Sequence, residues 1–327
     1  MSSLLITVIL LALCFQFLNG VRDSSNIVAT MISSRTFRPR TALALTAISE
    51  FLGPFLFGVT VAKTIGEDIV NSQVVDLNVV LSCLIGAILW NLITWFFGIP
   101  SSSSHALIGG LIGSVMVSTG FAAIKFAGLN KVLIALFAAP VIGFVIGFIV
   151  LRIIYYFVQD TSPNVNEVFK HGQLFTAVAL AFSHGTNDAQ KIMGVITLSL
   201  VIAGSIDKFV VPTWVIVASA GTIALGTAMG GWRLIRTLGG RFYKIRPVHS
   251  FATQLTSGFV ILSASAVGLP VSTSQVVSSA IVGIGASERF GKVRWSVVGD
   301  ILTAWLITIP VSGLLSAGIY WLLVHYG

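Results

Sequence analysis

The sequence predicts an all-α polytopic membrane protein, with about ten transmembrane passes in two inverted-topology repeats. Three observations carry that prediction. Of 327 residues, 55% are hydrophobic and 9% charged, with a mean hydropathy of +0.97. An average soluble domain is about 25% charged, so too little polar surface is present to wrap a water-soluble globule. Several apolar runs exceed the roughly 20 residues a helix needs to cross a hydrocarbon core of about 30 Å, whereas barrel strands would be short and alternating. Short motifs also recur, in the same order, in the two halves of the chain.

The apolar runs lie at 3–20, 41–64, 74–97, 102–124, 132–158, 174–204, 213–231, 248–268, 271–286 and 295–324. The first has the length of a signal-peptide core. Met1-Ser2-Ser3 carries no Lys or Arg, however, and Asn19-Gly20 is a poor cleavage context, so the run is taken as a pass. Most of the 19 Lys and Arg residues, which set against 11 acids give a net charge of +8, sit in short loops. Arg35, Arg38 and Arg40 form one group, and Arg233, Arg236, Arg241, Lys244 and Arg246 a second without any acid; Arg289, Lys292 and Arg294 against Glu288 form a third. Such loops are cytoplasmic, and no nucleic-acid partner is implied.

Glu67, Asp68 and Asp76 flank a loop suited to the outside. Counting crossings between these anchors puts both termini outside. The division is a first repeat at 1–158, a linker at 159–173 and a second repeat at 174–327. The linker is nearly charge-balanced, and parity places it in the cytoplasm. Cys14 and Cys83 lie inside apolar runs without ligand-like spacing.

Residues 98–113, GIPSSSSHALIGGLIG, match 268–283, GLPVSTSQVVSSAIVG, at an offset of 170; Gly98, Pro100, Ser102, Ser104 and Gly113 coincide with Gly268, Pro270, Ser272, Ser274 and Gly283. At an offset of 165, Gly20-Val21-Arg22-Asp23 pairs with Gly185-Thr186-Asn187-Asp188. Five passes per half is an odd number, so the second copy inserts upside down, an arrangement that places a binding site near the midplane. Proline and serine within apolar runs mark broken or re-entrant segments, tolerated at that depth only where they line a cavity or are covered by protein. Ordinary kinks and close packing explain each element alone. They do not explain the pairing.

Ionisable groups inside spans cost about 2.5 to 3.5 kcal/mol each at a helix centre, which makes them the best functional pointers. They are Asp23, Glu50, Asp188, Lys191 and Asp300, flanked by Arg22 and His184. Asp23 and Asp188 hold matched repeat positions and are expected to face each other across one cavity. Glu50 is expected to bind a cation or pair with a base, and Asp300, near the start of its span, to cap or snorkel. Around the acids stand Asn26, Asn187, Gln190 and Lys191, with Ser102, Ser103, Ser104, Ser272, Thr273 and Ser274 in the Pro-Ser elements. Hydroxyls, amides and free N–H groups at half-helix N-termini suit an oxyanion. The repeat-paired His105 and Gln275 are candidate outer donors.

An anion beside two aspartates needs compensation. At about 5 Å and an effective dielectric near 20, each unit-charge pair repels by about 3 kcal/mol. Cations must therefore enter with the anion, as sodium ions on the carboxylates, as protons, or as a neutral metal–anion complex. Joint occupancy is symport in outline. Asp23, Glu50, Asn187 and Asp188 are the candidate coupling-cation residues, with sodium placed at Asp23 and Asp188.

At these residues the sequence resembles the inorganic phosphate transporter (PiT) family. Asn19-Gly20-Val21-Arg22-Asp23-Ser24-Ser25-Asn26, followed by Ala29-Thr30 and Ser33-Ser34-Arg35, is similar to the first family signature. His184-Gly185-Thr186-Asn187-Asp188-Ala189-Gln190-Lys191-Ile192-Met193-Gly194 is similar to the second, and the Pro-Ser elements match as well. The resemblance implies phosphate uptake across the plasma membrane driven by sodium or protons, an inverted-repeat fold, a homodimer, and no enzyme activity or cofactor beyond the coupling cation. It implies a substrate shell of Asp23, Asn26, Asp188, Ser102, Ser103, Ser272 and Thr273, to which Lys191 is added as a substrate ligand. Arg22 departs from the uncharged or histidine residue of many relatives. A sulfate permease of the same family is the nearest alternative, and an uncoupled anion channel the next. An intramembrane prenyltransferase would need a second acid within a turn or two of Asp188. A serine protease would need more than the Ser104-His105 adjacency.

Overall fold

Helix α1 spans Ser3–Ser33, so the first apolar run is only the front of a 31-residue helix that carries the Asn19–Asn26 core of the first signature. In this computed structural model residues 2–34, 36–162, 164–230 and 246–326 are described. Arg35 and the basic residues Arg233, Arg236, Arg241 and Lys244 lie outside the described residues. Helix α2, Pro39–Phe57, opens on a proline, whose missing N–H costs nothing in a first turn. It stops at Gly58, whose φ of 77° suits a residue without a Cβ. After α3, Thr60–Lys63, the backbone continues as a π-turn to Asp68, bent by 77° from α2. The run 41–64 is thus a single broken segment.

Helices α4, Leu77–Phe96, and α5, Ser103–Ser118, are followed by the long α6, Phe126–Val158. Helix α7, Val165–Ile202, begins inside the 159–173 stretch and is the longest, at 38 residues; every residue from Ser183 to Leu200 is buried. Among the described residues, helices α8, Thr213–Met229, α9, Pro247–Ala266, α10, Thr273–Glu288, and α11, Trp295–Tyr326, follow. Among the described residues four helices are long and apolar enough to cross a membrane: α1, α4, α6 and α11. The bent α2 segment makes a fifth. Helices α5 and α10 have 16 residues each. At 1.5 Å per residue that is about 24 Å, short of a hydrocarbon core of about 30 Å.

The elements recur as the motifs do. Helices α4 and α9, and α5 and α10, are displaced by 170 residues, as are Pro140 within α6 and Pro310 within α11. Gly98 (φ 68°) and Gly268 (φ 73°) make the same left-handed exit turn. Gly98 and Ile99 donate back to the carbonyls of Trp95 and Thr94; Gly268 and Leu269 do so to Ser265 and Ala264. Contacts between the halves are reciprocal: α1 packs on α8 and α2 on α7, while α5 packs on α11 and α6 on α10. The glycines of the two motifs serve these crossings. A Cβ at Gly20 would overlap the Ile223 carbonyl of α8, and one at Gly185 the backbone of Glu50 in α2. Large apolar side chains such as Phe96, Phe157 and Leu314 project outward, as lipid contact requires.

Candidate functional site

The crossing of α2 over α7 assembles the ionisable cluster. Because Gly53 and Gly185 let the two backbones touch, Glu50 lies against His184, with Oε1 2.7 Å from Nδ1. The other ring nitrogen, Nε2, is 2.8 Å from Oδ2 of Asp188, one turn further along α7, and 3.9 Å from Oδ2 of Asp23 on α1. All four side chains are buried. Asp23, His184 and Asp188 offer ligand atoms within 4.8 Å of one another, a donor set of two carboxylates and one imidazole able to hold a cation. The two repeat-paired aspartates therefore converge, through a histidine that the sequence marked only as flanking. Its signal was the i, i+4 spacing to Asp188, which stacks two side chains on one helix face.

Two helix N-termini close on this cluster. Thr273, first residue of α10, donates its hydroxyl to Asp188 Oδ2 at 2.7 Å. Ser104, in the first turn of α5, accepts from Lys191 Nζ at 2.6 Å and donates to the Val271 carbonyl at 3.2 Å. Lys191 also donates to the Val271 carbonyl at 2.6 Å and pairs with Asp188 Oδ1. Ser102 caps α5 by accepting from the His105 N–H, Ser103 is buried beside it, and Ser272 lies 3.2 Å from Ser274. Each helix start leaves free N–H groups and a positive dipole end, and the two starts are tied together through Ser104, Lys191 and the Val271 carbonyl.

The amides brace the broken segments. Asn187 donates to Ser265 Oγ (2.8 Å) and the Leu269 carbonyl (3.2 Å) and accepts from the Val271 N–H. Gln190 joins the α2–α3 break by donating to Gly58 O and accepting from the Val61 N–H. Arg22, the repeat-mate of Asn187, does the corresponding job in the first half, where its Nη2 donates to the carbonyl and hydroxyl of Ser101. Its Nη1 is buried with no hydrogen-bond partner among the described residues. Asn26 donates to Asp23 at 3.0 Å, and Gln275 Nε2 lies 3.2 Å from His105 Nδ1. Asp300 is exposed on α11, away from this group.

The model of the phosphate transporter family matches residues 19–316, which include both signatures and both Pro-Ser elements. The chain belongs to that family. A Bacillus subtilis (strain 168) protein described as a probable low-affinity inorganic phosphate transporter is 43% identical, with 99% of each chain covered. A Rhizobium meliloti (strain 1021) protein of the same description is 41% identical over 97% of this chain and 96% of its own. Among solved structures, one titled the sodium-dependent phosphate transporter superposes with a TM-score of 0.91 over 100% of both chains at 24% identity, a likeness of fold. The family and these relatives are transporters, not enzymes. This member is a multi-pass protein of the plasma membrane.

Within this phosphate transporter family member, the structure brings Asp23, Glu50 and Asp188 together around His184, and Ser102, Ser103, Ser272 and Thr273 to the two helix starts beside them. It directs Asn187 toward the connection ahead of α10, and Lys191 onto three protein oxygens.

Proposed function

We propose that the chain imports inorganic phosphate by secondary active symport with a cation, sodium or a proton. The observation that carries this reading is the meeting of the α5 and α10 N-termini at a buried group of three carboxylates. Helix N-termini attract an oxyanion. The carboxylates repel it unless cations arrive too, which ties one flux to the other. Phosphate lies among Asn26, the hydroxyls of Ser102, Ser103, Ser272 and Thr273, and the unsatisfied Nη1 of Arg22, a guanidinium donor suited to a phosphate oxygen. Asp23, Glu50 and Asp188 balance the charge, with the exchangeable cation at Asp23 or Asp188. Lys191 meets the anion through its charge, and Asn187 braces the loop beside it.

Transport follows from inverted repeats of ten membrane-embedded segments, divided at 1–158 and 174–327. Parity supports the inversion whether α4 and α5 cross separately or fold back as a hairpin, because a hairpin removes two crossings and leaves the number odd. The reciprocal packing of the halves supports a two-fold relation between them. A homodimer belongs to the same reading and is checked by the mass of the purified particle.

Uptake of labelled phosphate into proteoliposomes under a sodium gradient or a pH gradient, with excess sulfate as competitor, tests the proposal. Accumulation above equilibrium under one gradient, insensitive to sulfate, is the expected result and names the cation. Uptake that only equilibrates makes the protein a channel, and uptake abolished by sulfate makes it a permease for another oxyanion.

A further inference from the structure

Lys191 stands where the first half has Asn26, 165 residues earlier. Its side chain is buried, with 4% of the residue exposed. An ammonium group has three N–H donors, and three acceptors meet them: the Asp188 carboxylate, the Ser104 hydroxyl and the Val271 carbonyl. No donor remains for a substrate anion. The acceptors come from α7, from the first turn of α5 and from the unwound stretch ahead of α10. Unwound-backbone carbonyls coordinate coupling cations in inverted-repeat transporters, and here a carboxylate and a hydroxyl complete an all-oxygen set around the ammonium. In the first half the matched Asn26 brings an amide without charge. Among the described residues Asp23 makes no ion pair with a lysine or arginine: Arg22 acts on it only through its charge at longer range, and the basic atom beside it is His184 Nε2 at 3.9 Å.

We propose that Lys191 is a tethered cation that permanently fills one cation place of the site, leaving a single exchangeable cation, at Asp23, to accompany each phosphate. The inference rests on the symport reading and deepens it: the residue at position 191 sets how many cations travel. Filling the place from within also locks the α5 start to the connection ahead of α10, which Lys191 spans.

The test counts labelled sodium and labelled phosphate together in proteoliposomes of the wild type, Lys191→Asn and Lys191→Met. In the wild type, uptake rises as the first power of the driving cation. Lys191→Asn removes the ammonium and supplies an amide oxygen, so it gains one sodium per phosphate and a second-order dependence on sodium. Lys191→Met, with neither charge nor ligand oxygen, loses uptake by about a hundredfold at every sodium concentration, as an unpaired buried carboxylate demands. A second-order cation dependence in the wild type overturns the proposal and needs no variant to fold. So does Lys191→Asn with an unchanged sodium count and only a higher half-saturation for phosphate, which makes Lys191 a direct ligand. Wild-type uptake by Lys191→Met overturns it as well. A wild type that takes up no phosphate refutes the transport reading itself, and this inference with it.

Discussion

The two halves of the molecule present the same carboxylate in different company. Asp188 is held by Lys191, by the Thr273 hydroxyl and by His184 Nε2 at 2.8 Å. Asp23, its repeat-mate, has the Asn26 amide at 3.0 Å and the same histidine nitrogen at 3.9 Å. Among the matched positions that differ, two exchange a fixed charge for an amide: Arg22 against Asn187, and Asn26 against Lys191. The half with a charged brace on its loop has a neutral partner for its acid, and the other half has the reverse. Repetition therefore supplies the scaffold, and these two exchanges leave one acid paired with a lysine and the other, in the mechanism proposed above, open to a mobile ion.

Removing the acids tests that difference most severely. Asp188→Asn leaves a buried ammonium facing neutral partners, at a cost of about 3 to 5 kcal/mol. The expected outcome is abolished gradient-driven uptake together with a lowered melting temperature in detergent. Asp23→Asn removes an acid that, among the described residues, forms no ion pair with a lysine or arginine and acts on Arg22 only through its charge, so uptake is again abolished while the melting temperature falls less than in Asp188→Asn. Normal gradient-driven uptake in both variants would sink the cation-bridge mechanism, and equal melting temperatures would erase the proposed asymmetry.

The glycine crossing comes next. A Cβ at position 185 would overlap the backbone of Glu50, so Gly185→Ala must push α2 from α7 and part Glu50 from His184. Such overpacking costs about 1 to 3 kcal/mol, and the expected result is a lower melting temperature with uptake reduced about tenfold or more. Gly58→Ala has open space around its Cβ, so its only penalty is the positive φ, about 1 kcal/mol. If Gly58→Ala proves the more damaging variant, close approach at the crossing is not what assembles the cluster.

A brace is worth less than a crossing. Asn187→Ala strips partners from Ser265 Oγ, the Leu269 carbonyl and the Val271 N–H. An unsatisfied buried group costs about 1 to 3 kcal/mol, so the α10 start loosens and half-saturation for phosphate rises. If Asn187 were instead a cation ligand, the change would appear in the cation dependence alone.

The sequence disclosed much of this architecture because its repeats lie in residues with strong local demands. Gly98 and Gly268 mark left-handed turns and Pro100 and Pro270 mark breaks, so the segments ending in α5 and α10 were legible from one motif compared with the other. The acids were legible because charge inside an apolar run needs a reason. His184 and Gly53 were harder. The i, i+4 spacing ties His184 to Asp188, but its meeting with Glu50 and the role of Gly53 depend on where α2 crosses α7, a tertiary relation that no spacing in one helix encodes. Lys191 and Asn187 were placed at the substrate and the coupling cation by residue type. Which acceptors take their donors depends on the connection ahead of α10, about 80 residues away in the chain. Helix α7 likewise reaches back to Val165 because Glu167 and Lys170 form an exposed one-turn pair, which suits a solvated helix start as well as a linker.

The smallest predicted effect separates two hydroxyls of the same element. Thr273 donates to Asp188 at 2.7 Å, whereas Ser272 reaches only Ser274 at 3.2 Å. A hydrogen bond to a charged group contributes about 1.5 to 3 kcal/mol and a neutral one about 0.5 to 1.5. Thr273→Ala should therefore raise the half-saturation for phosphate by about tenfold or more and also alter the cation dependence, because it leaves Asp188 Oδ2 with His184 as its remaining contact. Ser272→Ala should raise half-saturation by only severalfold and leave the cation dependence alone, because its hydroxyl meets Ser274 and not Asp188. Both are read from initial rates over a phosphate series at two cation concentrations. Unchanged half-saturation in both would remove the α10 hydroxyls from the substrate shell and leave its N–H groups as the anion donors.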